Sequence, residues 1–222
     1  MKKGKIIVLE GLDYSFKETN SKSLYEYIKE NITDKVKLVS FPNYDSYSSI
    51  FIKKYLNGDY GKSSDVDPYQ TSVLYTVDRL VTFFEDELFK LYNEGYYLIF
   101  DRYITSNLLF QTSKIDGIEE QNKYLNWMTT LEKTLGLPQP DVVIYMDMPL
   151  ECSYPLIQER EHKTNTTKDG HEDNYTFLKN VHDTAYRVCD IYKWKIVKCV
   201  YPDNTIKPKN IIFKEILERL NL

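Results

Sequence analysis

Gly11 and Lys17 have the types and spacing of residues that hold phosphate in a nucleotide-binding loop. They are separated by five residues and directly follow the apolar run IIVLE. In the motif G-x-x-x-x-G-K-[ST], backbone N–H groups and the lysine surround the phosphate oxygens. Here Phe16 stands at the second glycine and Glu18 at the hydroxyl position. The stretch is therefore an ATP site, the remnant of one, or a coincidence.

A second local pattern overlaps the same loop. Ser15-Phe16-Lys17-Glu18 reads S-x-x-E, a helix capping box in which the two polar side chains satisfy N–H groups at the helix start. We hypothesise that this helix caps itself and carries its own anion where ATP phosphate would bind. The alternative is sequence drift, because S-x-x-E is common by chance. Both alternatives predict weak ATP binding.

Composition excludes several classes of protein. The chain has 222 residues, 42% of them hydrophobic, which suits one domain (residues 1–222) with a full core. Its net charge is -4, so there is no basic excess to neutralise a nucleic acid polymer. The first apolar run is much shorter than the roughly 7–15 residues of a signal peptide or the about 20 of a membrane helix. We therefore expect a cytoplasmic protein without membrane contact.

The cysteines give no sign of a metal site. Cys152, Cys189 and Cys199 are scattered and form no C-x-x-C pair. Such cysteines are most often ordinary buried thiols. The sequence therefore predicts neither a zinc site nor a disulfide framework.

Short apolar runs alternate with helical patterns along the chain. The runs lack strict alternation, which is typical of strands buried on both faces; they are Lys5–Glu10, Val36–Phe41, Tyr96–Asp101, Val142–Asp147 and Lys195–Val200. The helical patterns are Ser21–Asn31, Tyr69–Glu94, Glu119–Leu135, Asn174–Trp194 and Lys209–Leu220. This order predicts an α/β three-layer sandwich, with a central parallel sheet of about five strands and helices on both faces.

Ligands of such a sheet bind at the carboxyl ends of its strands. The segments that follow the first three strands are GLDYSFKET, Phe41-Pro42-Asn43-Tyr44 and Asp101-Arg102-Tyr103. We expect these segments to meet in space. The polar stretch 159–174 is long for a loop, and long loops of compact domains are often lids.

These pieces together resemble the thymidylate kinase family. The matching pieces are IIVLEGLD, FPNYDSYSSIFIKKYLNGDYG, LYTVDR, FDRYITSN with Gln111, PDVVIYMDMP, and KDGHED in the lid region. They occur in the order and spacing of the family, from about Lys5 to the C-terminus. The resemblance implies a P-loop fold, phosphoryl transfer from ATP with Mg²⁺ to dTMP, and a homodimer.

The resemblance implies a largely intact dTMP site. Tyr75 matches an aromatic ring that stacks on the base, an interaction worth about 1–3 kcal/mol. Arg79 matches an arginine that reaches the base, and Arg102 one that grips the monophosphate with its forked guanidinium. Asp101 matches a strand-end carboxylate near metal and phosphates. The remaining matches are the turn that walls the monophosphate site, an acidic residue near the sugar and the helix lining the nucleoside pocket: Phe41, Pro42, Asp13, Ser106, Asn107 and Gln111. Each of these residues also has a purely structural interpretation; for Tyr75 it is an ordinary place on the core-facing side of its helix.

The donor loop departs from the family pattern. Gly11, Lys17 and Thr19 are retained, but Tyr14, Phe16 and Glu18 replace residues that suit phosphate and Mg²⁺. A non-glycine residue at positive φ costs about 1–2 kcal/mol. Phe16 also brings a large ring, and Glu18 sets a negative charge against the ATP phosphates.

The lid is the remaining source of catalytic cations. The loop itself has no arginine, whereas Arg160 stands at the start of the lid, with Lys163 and Lys168 inside it. This chemistry needs cations around the transferring phosphoryl group, and the resemblance assigns that role to Arg160. A charged loop is more often simply solvated, so the two lysines are weak candidates.

Three functions follow from this contrast between the two sites. The first is a nucleoside monophosphate kinase with an altered donor site. The second is a thymidylate kinase-like protein that binds nucleotide with weak or lost catalysis. The third is a regulatory subunit that dimerises with an active kinase. Because phosphoryl transfer depends on positioning and electrostatics, the three donor-loop replacements favour the second.

Overall fold

Five parallel strands form the centre of the protein. The computed structural model describes residues 3–155 and 175–222. The strands lie in the order β2-β3-β1-β4-β5, and every neighbouring pair is parallel. Their bounds are β1 Lys5–Glu10, β2 Val36–Ser40, β3 Tyr97–Asp101, β4 Val142–Asp147 and β5 Lys195–Lys198. The predicted α/β class and strand number are confirmed.

Helices cover both faces of this sheet. In chain order they are α1 Lys17–Asn31, α2 Ile50–Leu56, α3 Pro68–Glu85, α4 Leu88–Asn93, α5 Ile104–Phe110, α6 Ile118–Thr134, α7 Tyr175–Tyr192 and α8 Lys209–Leu220. One apolar cluster joins α1 and α8 to the sheet, for example through Leu24 and Ile216. A second cluster joins α3, α5, α6 and α7 to the other face, for example through Leu109 and Met128. The three layers thus follow from apolar strands that are buried on both sides.

Two helix predictions differ from the structure by more than two residues. The predicted helix over Tyr69–Glu94 is two helices, α3 and α4, because Glu87 adopts a left-handed conformation with φ 53°. The apolar periodicity continues across the break and so conceals it. The first helix begins at Lys17 instead of Ser21, directly after the left-handed residue Phe16.

Helix α7 is tied to the sheet by polar contacts as well as by its apolar face. Asp147, the last residue of β4, accepts a hydrogen bond from the Tyr186 hydroxyl at 2.8 Å, and His182 Nε2 lies 3.1 Å from its other oxygen. Burial opposes ionisation of Asp147, but these two partners hold the pKa of its carboxyl below the usual value.

Among the described residues, no helix is both long and apolar enough to cross a membrane.

Candidate functional site

The segments that follow β1 and β3 meet at the carboxyl edge of the sheet, as the fold class predicts. The strands β1 and β3 are neighbours, with Leu9 paired to Asp101. Arg102 then donates from NH2 to Asp13 at 2.7 Å and from NH1 to Glu10 at 3.2 Å. Two predicted site residues, Asp13 and Arg102, are thereby in direct contact across this edge.

Lys17 extends the same charge network. Its Nζ donates to Asp13 Oδ1 at 2.9 Å, so Asp13 pairs with two cations at once. Burial opposes ionisation of Asp13, but Lys17 and Arg102 together outweigh burial and hold the pKa of its carboxyl well below its usual range. Asp13 is therefore an anion over the whole physiological pH range.

Asp101 lies beside this network without joining it. Burial raises the pKa of its carboxyl, and the opposing attraction of Lys17 and Arg102 only partly compensates. Its Oδ1 is buried and has no hydrogen-bond partner among the described residues. Buried polar atoms are nearly always satisfied, so this oxygen is an acceptor available to a ligand, a metal or water.

Glu10 connects the donor loop to α5 and to Arg102, and the sequence analysis did not identify it as a site residue. Its carboxylate accepts from Thr105 at 2.6 Å, from Ser106 at 2.8 Å and from the Gly11 N–H at 2.9 Å. It is fully buried and also pairs with Arg102. A charged residue at the end of an apolar strand was the available signal, because such a charge requires partners when the strand is buried.

The donor loop keeps a tightly curled backbone despite its substitutions. Tyr14 and Phe16 both occupy the left-handed region, with φ of 62° and 64°. A Cβ on Gly11 would lie 2.6 Å from Ser15 Oγ and 2.8 Å from the Met146 carbonyl oxygen, so only glycine fits there. The loop thus follows a path that usually requires glycine, at a cost of about 1–2 kcal/mol for each of the two non-glycine residues.

The predicted capping box is wrong. Phe16, rather than Ser15, is the N-cap residue of α1, and it makes no side-chain cap hydrogen bond. The Ser15 hydroxyl is buried and has no hydrogen-bond partner among the described residues. The Glu18 carboxylate instead accepts from Lys22 at 2.6 Å, one turn further along the helix. The left-handed turn at Phe16 moves the helix start past Ser15, so the box cannot close.

The Phe16 ring has a different position from the one expected. It is half-buried and packs against the apolar cluster that contains Leu24 and Met146. The Tyr14 ring packs against the cluster on the other face of the sheet. Thr19 is exposed on the first turn of α1. The donor loop therefore differs from the family pattern in its charge and in its backbone strain.

The turn after β2 is fixed by aromatic contacts and by a buried carboxylate. Phe41 contacts the ring of Phe100 edge-on at 5.3 Å and precedes Pro42 through a cis peptide bond. Asp78 accepts from the Asn43 N–H at 2.9 Å and from the Ser48 hydroxyl at 2.7 Å. The sequence analysis missed Asp78, although an aspartate next to Arg79 on an amphipathic helix face was a visible signal.

The predicted nucleoside-binding side chains lie on α3 and α5. Tyr75 is half-buried and contacts the ring of Tyr55 edge-on at 6.3 Å. Ser106 also lies 3.4 Å from Arg102 NH1, which links α5 to the charge network. Gln111 is buried at the end of α5, and its Oε1 has no hydrogen-bond partner among the described residues. Gln111 thus leaves a buried acceptor at the end of α5.

Arg79 and Asn107 belong to a buried network with a residue that the sequence analysis missed. Arg79 donates from Nε and NH2 to Glu132 Oε1, at 3.1 and 2.7 Å, and from NH1 to Asn107 Oδ1 at 3.2 Å. Thr76 donates to the same Glu132 oxygen at 2.7 Å. Arg79 is 2% exposed and Glu132 is completely buried. The signal for Glu132 was its helical spacing from the apolar residues Leu125 and Met128.

The predicted lid cannot be compared with this geometry. Arg160, Lys163, Lys168 and the segment 159–174 lie outside the described residues. Their assignment to the reaction stays a prediction.

Comparisons with known proteins identify the class that this fold and site define. The chain can be superposed on the solved structure of the thymidylate kinase from Candida albicans with a TM-score of 0.67 and 24% identity, covering 99% of this chain and 93% of that one. A solved thymidylate kinase from Ehrlichia chaffeensis gives a TM-score of 0.66 at 17% identity, covering 99% of this chain and 100% of that one. At these identities the superpositions show a shared fold.

The family follows from the sequence comparisons. The model of the family described as thymidylate kinase matches residues 9–207, so this chain belongs to the thymidylate kinase family. A thymidylate kinase from Plasmodium falciparum is 33% identical over 148 residues, covering 67% of this chain and 63% of that protein. A probable thymidylate kinase from Sulfolobus acidocaldarius is 33% identical, covering 72% of each chain. The match to the curated relatives from Plasmodium falciparum, Caenorhabditis elegans and Homo sapiens spans 63% to 66% of their length.

Proposed function

We propose that this protein binds dTMP at the carboxyl edge of the sheet, and that its donor loop binds ATP weakly, so that phosphoryl transfer is slow or absent. The observation that carries the dTMP site is Arg102, whose guanidinium lies at this edge between the loop and α5. It is 15% exposed, so a monophosphate reaches it without unfolding the site. Membership of the thymidylate kinase family favours dTMP as the nucleotide. Ligands of parallel sheets bind at the carboxyl edge, which favours this position for it.

The donor loop contains groups for a nucleoside triphosphate but carries too much negative charge. Lys17 and the curled backbone of the loop suit phosphate, and Asp101 has a free carboxylate oxygen suited to Mg²⁺. In this family ATP supplies the phosphoryl group. Three cations, on Lys17, Lys22 and Arg102, nevertheless stand against four carboxylates, on Glu10, Asp13, Glu18 and Asp101. This excess of negative charge opposes the charge of ATP.

One observation supports a second candidate, a working nucleoside monophosphate kinase with an altered donor site. The left-handed backbone at Phe16 is the conformation that a glycine would adopt there, and the ring packs against the apolar cluster that joins α1 and α8 to the sheet. On this reading only Glu18 departs in its chemistry. A kinase assay with dTMP and Mg-ATP separates the two candidates, since the first predicts turnover close to background.

The dTMP site is tested by thermal unfolding with nucleotide. Millimolar dTMP is expected to raise Tm, because a ligand that binds only the folded state stabilises it. Arg102→Ala is expected to abolish the shift, since it removes the cation that grips the monophosphate. Lys195→Ala is a control, because Lys195 is also a half-buried cation but begins β5, at the opposite edge of the sheet, where its Nζ donates to the Arg219 carbonyl oxygen. No shift in the wild type, or an unchanged shift in Arg102→Ala, contradicts the proposed site.

We also propose that two copies of the chain form a homodimer through α3. Val73, Val77 and Phe84 are 44%, 44% and 66% exposed and recur at helical spacing on that helix. An exposed apolar stripe of this kind suits a protein interface. Sedimentation equilibrium is expected to give twice the mass of the 26.4 kDa chain, and Val77→Glu to give the monomer. A monomeric wild type contradicts the proposal.

A further inference from the structure

A cavity of about 300 Å³ lies against the sheet at the amino ends of β4 and β5. It is bounded by α5, α6 and the first residues of the two strands, Val142 and Lys195. Strand β4 has six residues, so at about 3.3 Å per residue its two ends are roughly 15 Å apart. No residue that the sequence analysis assigned to dTMP or ATP is among the described residues that line the cavity. Its volume is at the lower end of the range for small-molecule sites.

The cavity has an apolar floor and an aromatic wall. Ile104 and Leu108 of α5 and Val143 of β4 line it and are buried. The half-buried rings of Tyr192 and Trp194 also line it, with their centroids 6.2 Å apart and their planes inclined by 32°. Aromatic rings bury a large apolar area against one another and prefer offset or edge-to-face arrangements. The lining therefore suits a planar aromatic ligand.

Most polar side chains of the lining are satisfied within the protein. Lys195 Nζ donates to the Arg219 carbonyl oxygen. Four others make hydrogen bonds of 2.6 to 3.1 Å to protein groups: Thr105, Thr129, Asp141 and Lys193. Two groups differ from these, since Gln139 Nε2 is buried without a hydrogen-bond partner, and Lys133 Nζ has neither a hydrogen bond nor an ion pair, among the described residues. Two donors are thus available to a ligand.

The Gln139 amide is carried by a rigid segment. Gln139 stands between Pro138 and Pro140, whose rings fix the backbone dihedral φ. The Tyr103 hydroxyl donates to the Pro138 carbonyl oxygen at 3.0 Å, and the N–H of Asp141 donates to strand β1 at 3.0 Å. Because the backbone is fixed on both sides, the position of the amide is fixed as well. Buried donors are nearly always satisfied, so an acceptor is expected inside the cavity.

The charge around the cavity selects the kind of acceptor. Among the described residues that line it, three are cations, Lys133, Lys193 and Lys195, and one is an anion, Asp141. Lys193 and Lys195 have protein partners, which leaves the Lys133 ammonium for a ligand. One ammonium group and one amide N–H match the two oxygens of a carboxylate. Asp141 opposes the second negative charge of a phosphate group.

We propose that this cavity is a binding site for a small planar aromatic carboxylate. The ring of the ligand packs between the apolar floor and Trp194, and its carboxylate accepts from Gln139 Nε2 and Lys133 Nζ. The site is separate from the nucleotide site, so the proposal does not depend on the proposed function.

The test follows the two indole N–H signals of the chain by NMR while benzoate is added. For a ligand of this size, a dissociation constant of about 1 mM or lower is expected. Benzoate is expected to shift the Trp194 signal in a saturable way, and to leave the signal of Trp127, which packs against Tyr69, unchanged. The neutral analogue benzamide is expected to bind about fivefold more weakly, because it lacks the charge that pairs with Lys133.

Two variants and a matched control locate the ligand. Gln139→Leu is expected to weaken benzoate binding about tenfold without weakening the fold, because the amide that it replaces is unpaired. Lys133→Ala is expected to weaken binding about fivefold, and it tests the site even where Gln139→Leu does not fold. Lys123→Ala is the control, since Lys123 is an exposed lysine of the same helix that pairs with Glu119 and Glu120, away from the cavity. Its benzoate affinity is expected to stay at the wild-type value.

Several results would overturn the proposal. The Trp194 signal could fail to shift, or both Gln139→Leu and Lys133→Ala could bind benzoate as the wild type does. Displacement of benzoate by dTMP would place the ligand in the nucleotide site instead. Tighter binding of phenyl phosphate than of benzoate would contradict the choice of a carboxylate. Failure of dTMP to bind, with benzoate binding intact, contradicts the proposed function alone.

Discussion

The donor loop and the acceptor helices of this protein are held in place by different forces. The loop depends on partly exposed ion pairs of Asp13 and on two residues in left-handed conformations. The acceptor side depends on the Arg79–Glu132 network, which is closed to solvent. A buried charge pair with one partner on each side is sensitive to the loss of either partner, whereas Asp13 pairs with two cations and keeps one when the other is removed. Substitutions in the loop are therefore expected to change function with little effect on folding, whereas the loss of Arg79 is expected to reduce the stability of the fold strongly as well.

The largest expected effect is the loss of Arg79. Arg79→Met leaves Glu132 charged and unpaired in the core, which costs about 3–5 kcal/mol of unfolding free energy. Lys17→Met is the matching change in the loop, and we expect a cost of about 1 kcal/mol or less, because Asp13 retains Arg102. Urea denaturation measures both. Equal losses for the two variants would remove the distinction between the regions.

A smaller effect concerns Lys114, which follows α5 on the acceptor side. Its Nζ donates to the Tyr55 hydroxyl at 2.9 Å, and burial lowers its pKa to about 8. A lysine with a lowered pKa destabilises the folded state below that pH, and this penalty disappears as the pH rises toward its unfolded value. Relative to Lys114→Met, the wild type should therefore gain about 2 kcal/mol between pH 7 and pH 10. A constant difference over this range would show that Lys114 titrates normally.

The smallest effect tests the strain in the donor loop. Both Phe16→Ala and Phe16→Gly remove the ring, but only glycine relaxes the left-handed conformation. Phe16→Gly should therefore be the more stable of the two by roughly 0.5–1 kcal/mol. The opposite order is expected at Thr19, three residues along on α1, where alanine is better than glycine by about 1 kcal/mol. If alanine were the more stable substitution at position 16 as well as at position 19, Phe16 would not be strained.

Sequence periodicity located the regular elements well. The bounds of β1, β4 and α8 agree with the prediction, because buried strands and amphipathic helices have strong local patterns. The break at Glu87 escaped prediction, since it depends on one left-handed residue inside a continuous apolar pattern. The capping box failed for the same reason, because a left-handed residue at Phe16 determines where α1 begins.

The site could be predicted only in part, because its contacts join residues far apart in the chain. Motifs indicated Arg102 and Asp13, and the strand order brings them together across 89 positions. Their partner Glu10 was missed because it looked like the end of an apolar run. Glu132 was missed because only the packing of α6 against α3 shows which acidic residue of that helix is buried.

The most direct test of the account is the binding of Mg-ATP to the wild type and to a Phe16→Gly/Glu18→Ser double variant, measured side by side by titration calorimetry. The account predicts that the double variant binds with micromolar affinity and the wild type at least tenfold more weakly, since the variant removes one carboxylate and restores the glycine and hydroxyl of the loop. Micromolar binding by the wild type, with no gain in the variant, would show that the donor site is intact.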